Sequence, residues 1–217
     1  PPQSRLPIPF DVVWLMADWG LKNGYQTVVL HMLLNFMLYL RPSEALGLRL
    51  KDVIPPRPGA YRNWSVILHP LELSKSSKTA EYDETLELDL NYHRSLGIGL
   101  GHYLKRRRGN PDEMFFTHRL QDLHKFMDTA GEALNLQAVK TLHPYRLRHG
   151  GASHDFQKGL RDLAAVQLRG RWKSQASVRR YQKGGRLAQL FAALPRSVQT
   201  QAELAAANLH TTLSNRR

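Results

Sequence analysis

Residues 170–181 read Gly-Arg-Trp-Lys-Ser-Gln-Ala-Ser-Val-Arg-Arg-Tyr, so a tyrosine follows two arginines and, nine residues earlier, a tryptophan. A phenol has a pKa near ~10 and is a weak nucleophile at neutral pH unless cations stabilise its anion. Tyr181 in this basic setting suggests attack on a phosphate, where the same cations hold the developing charge. Taken alone, the run also suits a helix with a buried tyrosine and a solvated basic face, so its interpretation depends on the rest of the chain.

Composition narrows the class of protein. The chain has 217 residues, 42% of them hydrophobic, which is enough to form the core of one large domain or two small ones. Its 31 basic and 18 acidic residues give a formal charge of +13, which favours polyanionic partners, nucleic acid first. The absence of cysteine excludes disulfides, zinc thiolates and thiol catalysis. We expect no metal site, no membrane span and an intracellular location, the nucleus in a eukaryote and the cytoplasm otherwise.

Hydrophobic periodicity predicts a mainly α-helical chain with one small antiparallel sheet, an α+β fold. The predicted helices span 11–22, 25–40, 42–48, 92–107, 118–134, 150–158, 160–168 and 174–181, and a tail, 187–213, carries two more pieces separated by Pro195. The predicted strands span 51–54, 64–73 and 83–89, with a hairpin loop at 74–82.

Basic residues lie at the boundaries of these elements, where side chains often converge on a ligand. Arg41 precedes Pro42, so it is disfavoured in helical geometry and is expected to point away from the helix axis. Alternatively, Arg41 forms an ion pair with Glu44 at the helix start and does not contact a ligand. Lys75 and Lys78 lie in the predicted hairpin loop, where lysines are usually solvated.

A third basic cluster, 143–153, reads His-Pro-Tyr-Arg-Leu-Arg-His-Gly-Gly-Ala-Ser. Its small residues are expected to begin a helix against a phosphodiester backbone, because the free N–H groups of a helix start bind anions. The histidines of this region, His143, His149 and His154, have neither cysteines nor a well-placed pair of carboxylates beside them. We therefore do not predict that they bind a metal ion.

The four basic regions together resemble the motifs of the tyrosine recombinase (phage integrase) family. Residues 39–48, Tyr-Leu-Arg-Pro-Ser-Glu-Ala-Leu-Gly-Leu, resemble its first arginine box, which reads roughly Gly-Leu-Arg-x-Ser-Glu-Leu-x-x-Leu. Residues 77–79 are similar to its hairpin lysine, and 147–149 to its second arginine box, His-x-Leu-Arg-His. Residues 170–181 are similar to its last box, a His or Trp nine residues before the nucleophilic tyrosine. Order and spacing agree over roughly residues 5–185.

The resemblance implies a transesterification on duplex DNA that requires neither a metal nor a cofactor. Tyr181 would attack the scissile phosphate and leave a 3′-phosphotyrosyl bond and a free 5′-hydroxyl. Arg41 and Arg148 would bind the non-bridging oxygens, since arginine stays charged and bonds two oxygens at once. Lys78 would donate a proton to the leaving oxygen, and Trp172 would pack beside the phosphate and donate one hydrogen bond.

The chain departs from the second arginine box at one position. The histidine that the family carries three residues before the arginine falls on Tyr145, and His143 lies two residues earlier. We expect Tyr145 or His143 to assist deprotonation of Tyr181, with His149 in support. Glu44 is expected to support the catalytic residues. Six further basic residues are expected to contact DNA: Lys75, Arg146, Arg171, Lys173, Arg179 and Arg180.

The leading interpretation is the catalytic domain (1–185) of a site-specific recombinase or integrase of a mobile element, which acts on double-stranded DNA as a homotetramer. The helical tail (186–217) is expected either to contact a neighbouring subunit or to pack on its own domain. Two alternatives remain. One is a DNA-binding domain that kept the fold but lost strand transfer, which the tyrosine at position 145 suggests. The other is a type IB topoisomerase-like enzyme that relaxes supercoils without exchanging partners.

Overall fold

The computed structural model describes residues 6–68, 84–107, 109–139, 142–182 and 184–214. Across these residues the chain is mainly helical with one three-stranded antiparallel sheet, as predicted. The helices are α1 (Phe10–Lys22), α2 (Gln26–Met37), α3 (Pro42–Leu46), α4 (Arg94–Arg106), α5 (Leu120–Ala133), α6 (Tyr145–Gln157), α7 (Leu163–Gly170), α8 (Gln175–Val178), α9 (Gly184–Ala192) and α10 (Arg196–Ser214). The strands are β1 (Val53–Ile54), β2 (Ser65–Leu68) and β3 (Glu84–Glu87).

Helix α2 is the centre of the core. Residues 29–37 are buried without interruption, which is the pattern of a helix surrounded by protein on all sides. It packs against α1, α4, α5 and α6. The helix was predicted to reach residue 40 but ends at Met37, because Tyr39 adopts the left-handed conformation with φ 51°. The chain therefore changes direction after α2 and leads through Arg41 into α3.

The sheet has the order β1-β2-β3. Val53 pairs with Val66 and Val66 with Leu86, and all three are buried on the core side. The predicted strand 51–54 is shorter than expected, because residues 50–52 form a turn of 3₁₀-helix before β1. The predicted hairpin loop with Lys75 and Lys78 lies outside the described residues, as do the adjoining ends of the two predicted strands.

Helix α6 begins five residues earlier than predicted. Gly150 and Gly151 lie inside it, so the prediction that these small residues begin an anion-binding helix is wrong. Their size has another reason. A Cβ at Gly151 would overlap the carbonyl oxygen of Phe36 on α2, and one at Gly150 would lie 2.5 Å from the carbonyl oxygen of Ile8. The two glycines therefore let α6 pack directly on the end of α2, next to Tyr39.

The C-terminal helices are separated by Pro195, as predicted. Helix α10 packs on α1 and α4 of its own chain. Its buried side chains, among them Ala202 and Leu209, are part of the same hydrophobic core as α2. In this structure the tail therefore completes the core of its own chain. No helix in the described ranges is long and apolar enough to cross a membrane.

Candidate active site

Tyr181 lies in a single 3₁₀ turn, Arg179–Gln182, that follows α8. Its side chain is buried, and its hydroxyl lies 2.6 Å from Nδ1 of His149 on α6. The indole of Trp172 lies beside it, with ring centroids 5.0 Å apart. The residues of the last box thus fold back onto the helix that carries the second arginine box.

Arg148 precedes His149 on α6 and is 4% exposed. Its Nη2 donates to the carbonyl oxygen of Gly170, and its guanidinium lies 4.6 Å from the centroid of the Trp172 ring. Its Nη1 has no hydrogen-bond partner among the described residues, and the nearest carboxylate oxygen, on Glu44, is 3.8 Å away. Burial first and Arg171 second lower the pKa of Arg148 to about 9, although Glu44 opposes both. An anion beside Nη1 would accept its hydrogen bond and stabilise the buried positive charge of Arg148.

Glu44 organises the other arginines of the site. Its Oε1 accepts from Nη1 of Arg41, and its Oε2 accepts from the Arg41 backbone N–H at 2.6 Å and from Nη2 of Arg171 at 2.6 Å. Burial acts to raise the pKa of Glu44, but Arg171 and the charge and backbone N–H of Arg41 outweigh it, so the pKa is lowered. One ionised carboxylate therefore faces three guanidiniums, including that of Arg148. With Glu84, which pairs with Arg171, the cluster has two carboxylates for three guanidiniums and keeps an excess of one positive charge.

Arg171 was predicted to contact DNA, but its guanidinium points inward. Besides Glu44, its Nε lies 3.0 Å from Oε2 of Glu84, and its side chain is 4% exposed. The residue adopts the left-handed conformation, φ 54°, at the reversal after α7. There a Cβ at Gly170 would overlap the Trp172 ring, which explains the glycine. Arg171 thus supports the site from behind and, in this structure, offers no surface to DNA.

Arg146 is a second predicted DNA contact that the structure places elsewhere. Its Nε donates to the carbonyl oxygen of Leu6 and its Nη1 to that of Val139 at 3.2 Å, and it is 6% exposed. Burial lowers its pKa. Its contacts attach the N-terminal segment to α6, which is a structural role away from Tyr181.

The two residues predicted to assist Tyr181 lie at the start of α6. Tyr145 is 36% exposed, and its backbone N–H donates to Nδ1 of His143 at 3.2 Å. The His143 ring packs against His124, with centroids 4.7 Å apart. His149, one turn further along α6, is instead the residue within hydrogen-bond distance of Tyr181. Of the residues expected to assist Tyr181 or support it, His149 is the one whose side chain contacts the phenol.

The remaining predicted contacts lie on the surface or outside the described part. Lys173 and Arg179 are exposed on the segment that carries Tyr181. The side chain of Arg180 lies outside what the structure describes, as do Lys75 and Lys78. Within the described ranges no group of three or more histidine or acidic side chains is placed to hold a metal ion.

Comparison with known proteins agrees with this geometry at the level of the fold. No protein-family model and no curated protein sequence matches the chain. The crystal structure of XerA recombinase is similar, with a TM-score of 0.63 and 15% identity over 94% of this chain and 66% of XerA. XerH site-specific recombinase in its post-cleavage complex with palindromic difH substrate is similar, with a TM-score of 0.59 and 16% identity over 88% of this chain and 54% of XerH. Its pre-cleavage complex with difH substrate has a TM-score of 0.57 and 19% identity over 86% of this chain and 53% of XerH. The chain thus spans just under two thirds of XerA and just over half of XerH, and its fold is that of a tyrosine recombinase catalytic domain.

Proposed function

We propose that this chain is the catalytic domain of a tyrosine-type site-specific recombinase, which cleaves and rejoins DNA through a covalent bond to Tyr181. The observation that carries the proposal is the 2.6 Å approach of the Tyr181 hydroxyl to His149 Nδ1, beside an arginine with a free donor. A phenol, a proton acceptor and an unsatisfied cation are the three groups that phosphotransfer to a tyrosine requires.

His149 is the proton acceptor in this proposal. With the imidazole proton on Nε2, the lone pair of Nδ1 faces the phenol and can take its proton as the oxygen attacks phosphorus. The P–O bond to the 5′-oxygen breaks, and that oxygen leaves as a hydroxyl after it is protonated. Lys78 remains the proposed donor of that proton. Because the phosphotyrosyl bond retains the energy of the phosphodiester, the 5′-hydroxyl can reverse the step without a nucleotide cofactor.

Arg41 and Arg148 are the proposed ligands of the non-bridging phosphate oxygens. Arg148 offers Nη1, and Arg41 is partly exposed, with 21% of its side-chain surface open to solvent. Glu44 holds Arg41, and the carbonyl oxygen of Gly170 holds Arg148, before DNA arrives, so little reorganisation is needed as charge develops. Donors that are preorganised in this way contribute ~3–4 kcal/mol each to the stabilisation of a transition state.

Duplex DNA is the proposed substrate. The chain carries a formal charge of +13, and Lys173 and Arg179 are exposed next to the Tyr181 turn. XerH, which shares the fold, has been captured on its difH substrate before and after cleavage. We extend the proposal to recombination or integration of a mobile element by a homotetramer, the setting that the resemblance implies.

The burial of Tyr181 favours a second candidate. The side chain is 1% exposed, so attack on DNA requires the segment that carries it to open toward the substrate. A DNA-binding domain that kept the fold but does not cleave would have no need to open. Covalent trapping separates the two functions.

The experiment mixes the protein with pooled nicked duplexes of randomised sequence and resolves the products on a denaturing gel. Wild type, Tyr181→Phe and the control Tyr61→Phe are compared, since Tyr61 is 60% exposed and lies away from the site. We expect an adduct with wild type and the control and none with Tyr181→Phe. An adduct that survives in Tyr181→Phe, or DNA binding by fluorescence anisotropy with no wild-type adduct, overturns the proposal.

A further inference from the structure

Tyr39 occupies a backbone conformation that tyrosine rarely adopts. Its φ is 51°, a region that costs a residue with a Cβ about 1–2 kcal/mol. The box that residues 39–48 resemble begins with glycine, for which this conformation carries no such cost. A tyrosine here needs compensating interactions, and its place two residues before Arg41 makes those interactions relevant to the site.

The compensating interactions come from α6 and α7. The side chain is fully buried, and its hydroxyl donates to Oδ2 of Asp155 on α6. The guanidinium of Arg169 lies 5.5 Å from the centroid of its ring. Its carbonyl oxygen accepts from Nη2 of Arg171 at 3.5 Å. Asp155 lies on the same helix as Arg148, and Arg171, which follows the end of α7, directly precedes Trp172.

Asp155 is a rigid anchor for this phenol. It is fully buried and also accepts from the Tyr92 hydroxyl at 2.6 Å and from Nε of Arg161 at 3.2 Å. Arg161 is itself held by Asp89 at 2.5 Å. Burial, followed by the charge of Asp155, raises the pKa of Tyr39 well above its ordinary value, so the hydroxyl remains a donor. The anchor lies seven residues, about two helical turns, after Arg148 on the same helix.

From this geometry we infer that Tyr39 is a positioning residue, which sets Arg41 against Arg148 by attaching the turn between α2 and α3 to Asp155. The inference rests on the proposed function. Only Leu40 separates Tyr39 from Arg41, so a fixed side chain and carbonyl at position 39 leave the Cα of Arg41 little freedom. A glycine would adopt the same φ without strain, but it could not attach the turn to α6.

The test compares Tyr39→Phe with Tyr92→Phe. Each variant removes one phenol hydroxyl from Asp155, but only Tyr39 is connected to Arg41. Single-turnover adduct formation is measured at saturating nicked duplex, together with Kd for the same DNA and Tm. We expect both variants to lose similar Tm, and only Tyr39→Phe to slow the covalent step, by ~10- to 100-fold, because small misplacements of a catalytic group cost rates of this order. The Kd should change little in either.

Amide hydrogen exchange provides a readout that does not depend on activity. The backbone N–H of Arg41 donates to Glu44, and its protection reports how firmly the turn is held. We expect exchange at Arg41 to accelerate about tenfold in Tyr39→Phe and to remain at the wild-type rate in Tyr92→Phe. Equal exchange in the two variants, or equal cleavage rates, shows that Tyr39 only stabilises the fold and overturns the inference. A wild type without any adduct refutes the proposed function instead, and exchange then decides the positioning role alone.

Discussion

Two phenols, Tyr39 and Tyr181, share one small buried cluster, and neither side chain is more than 1% exposed. Both hydroxyls are bonded to α6, at positions six residues apart. The hydroxyl of Tyr39 meets the carboxylate of Asp155, and that of Tyr181 meets the imidazole of His149. Burial and residue type are therefore the same in the two cases, whereas the hydrogen-bonding partner on α6 differs.

The partner decides what each phenol can do. A buried carboxylate beside a phenol opposes a second negative charge, and it contributes to the raised pKa of Tyr39. An imidazole in its neutral form adds no negative charge beside Tyr181 and, in the proposed function, accepts its proton. Arg161, which bonds to Asp155, is also paired with Asp89. Arg169 over the Tyr39 ring and Arg148 near Tyr181 each keep one nitrogen without a hydrogen-bond partner among the residues described. This difference in partners supports the proposals that Tyr39 holds the turn before Arg41 in place and that Tyr181 is the nucleophile.

Removing the imidazole should give the largest effect. His149→Gln keeps a hydrogen-bonding side chain of similar length but cannot accept a proton. We expect the single-turnover rate of adduct formation to fall by ~10²- to 10⁴-fold, the range typical of general-base catalysis, with DNA affinity preserved. A His149→Gln rate within a few-fold of wild type would contradict the contrast between the two phenols.

The second-largest effect on the rate of adduct formation is expected from changing Arg148, whose Nη1 has no hydrogen-bond partner among the described residues. Arg148→Lys keeps the charge but loses the planar fork that faces both Gly170 and the open side of the site. We expect adduct formation to slow by ~10²- to 10³-fold. The matched control is Arg57→Lys, an exposed position away from the cluster, which should cleave at the wild-type rate. Equal rates for the two variants would show that Arg148 is structural.

The two regions also differ in how far the sequence predicts them. Three of the four motifs indicated that Arg41, Arg148, Trp172 and Tyr181 lie together, and the structure brings them together, whereas the hairpin lysine Lys78 lies outside the described residues. The start of α6 was missed because glycine disfavours a helix interior, and the two glycines were therefore assigned to a helix start. Glycine is needed at these two positions because the carbonyl oxygens of Ile8 and Phe36, which are distant in sequence, lie too close to leave room for a Cβ.

The contact between His149 and Tyr181 was not foreseen for the same reason, and the roles of Tyr145 and His143 stay predictions. Once α6 starts at Tyr145, His149 lies one turn above it and faces the Tyr181 turn, but the predicted helix began only at residue 150. The burial of Arg171 was not foreseen because charge alone does not distinguish a solvated arginine from one that faces a buried carboxylate. Its partner, Glu44, is 127 residues away in sequence.

Glu44 links the site to stability and pH. Glu44→Gln should lower the free energy of unfolding by ~1–3 kcal/mol, because the guanidiniums of Arg41 and Arg171 lose their counter-charge. Since the pKa of Glu44 is lowered on folding, its contribution is complete above the ordinary value near 4.5 and is lost as the pH falls through the folded value.

Urea unfolding of wild type and Glu44→Gln between pH 3 and 7 measures this contribution. The difference between the two proteins should be constant at neutral pH and shrink below about pH 4.5, since both proteins share all other titrating groups. A difference that does not change with pH would mean that the Glu44 carboxylate contributes no ion-pair energy.

The smallest expected effect belongs to Tyr145. Its side chain is 36% exposed at the start of α6. The hydrogen bond to the Tyr181 hydroxyl, which was expected from Tyr145 or His143, is made by His149. Tyr145→Phe should therefore change the cleavage rate by no more than about 2-fold, a barrier difference of ~0.5 kcal/mol. A loss as large as that of His149→Gln would restore the role that the sequence predicted.

The most direct test of the account identifies which tyrosine carries DNA. The chain contains eight tyrosines, two of which are the buried phenols compared above. The covalent adduct formed on a nicked duplex is digested with nuclease and protease, and the remaining phosphonucleotide is located by mass spectrometry. We expect the modification on Tyr181 alone. A modification on Tyr39 or any other tyrosine, or no modified tyrosine in a protein that binds the duplex, would contradict it.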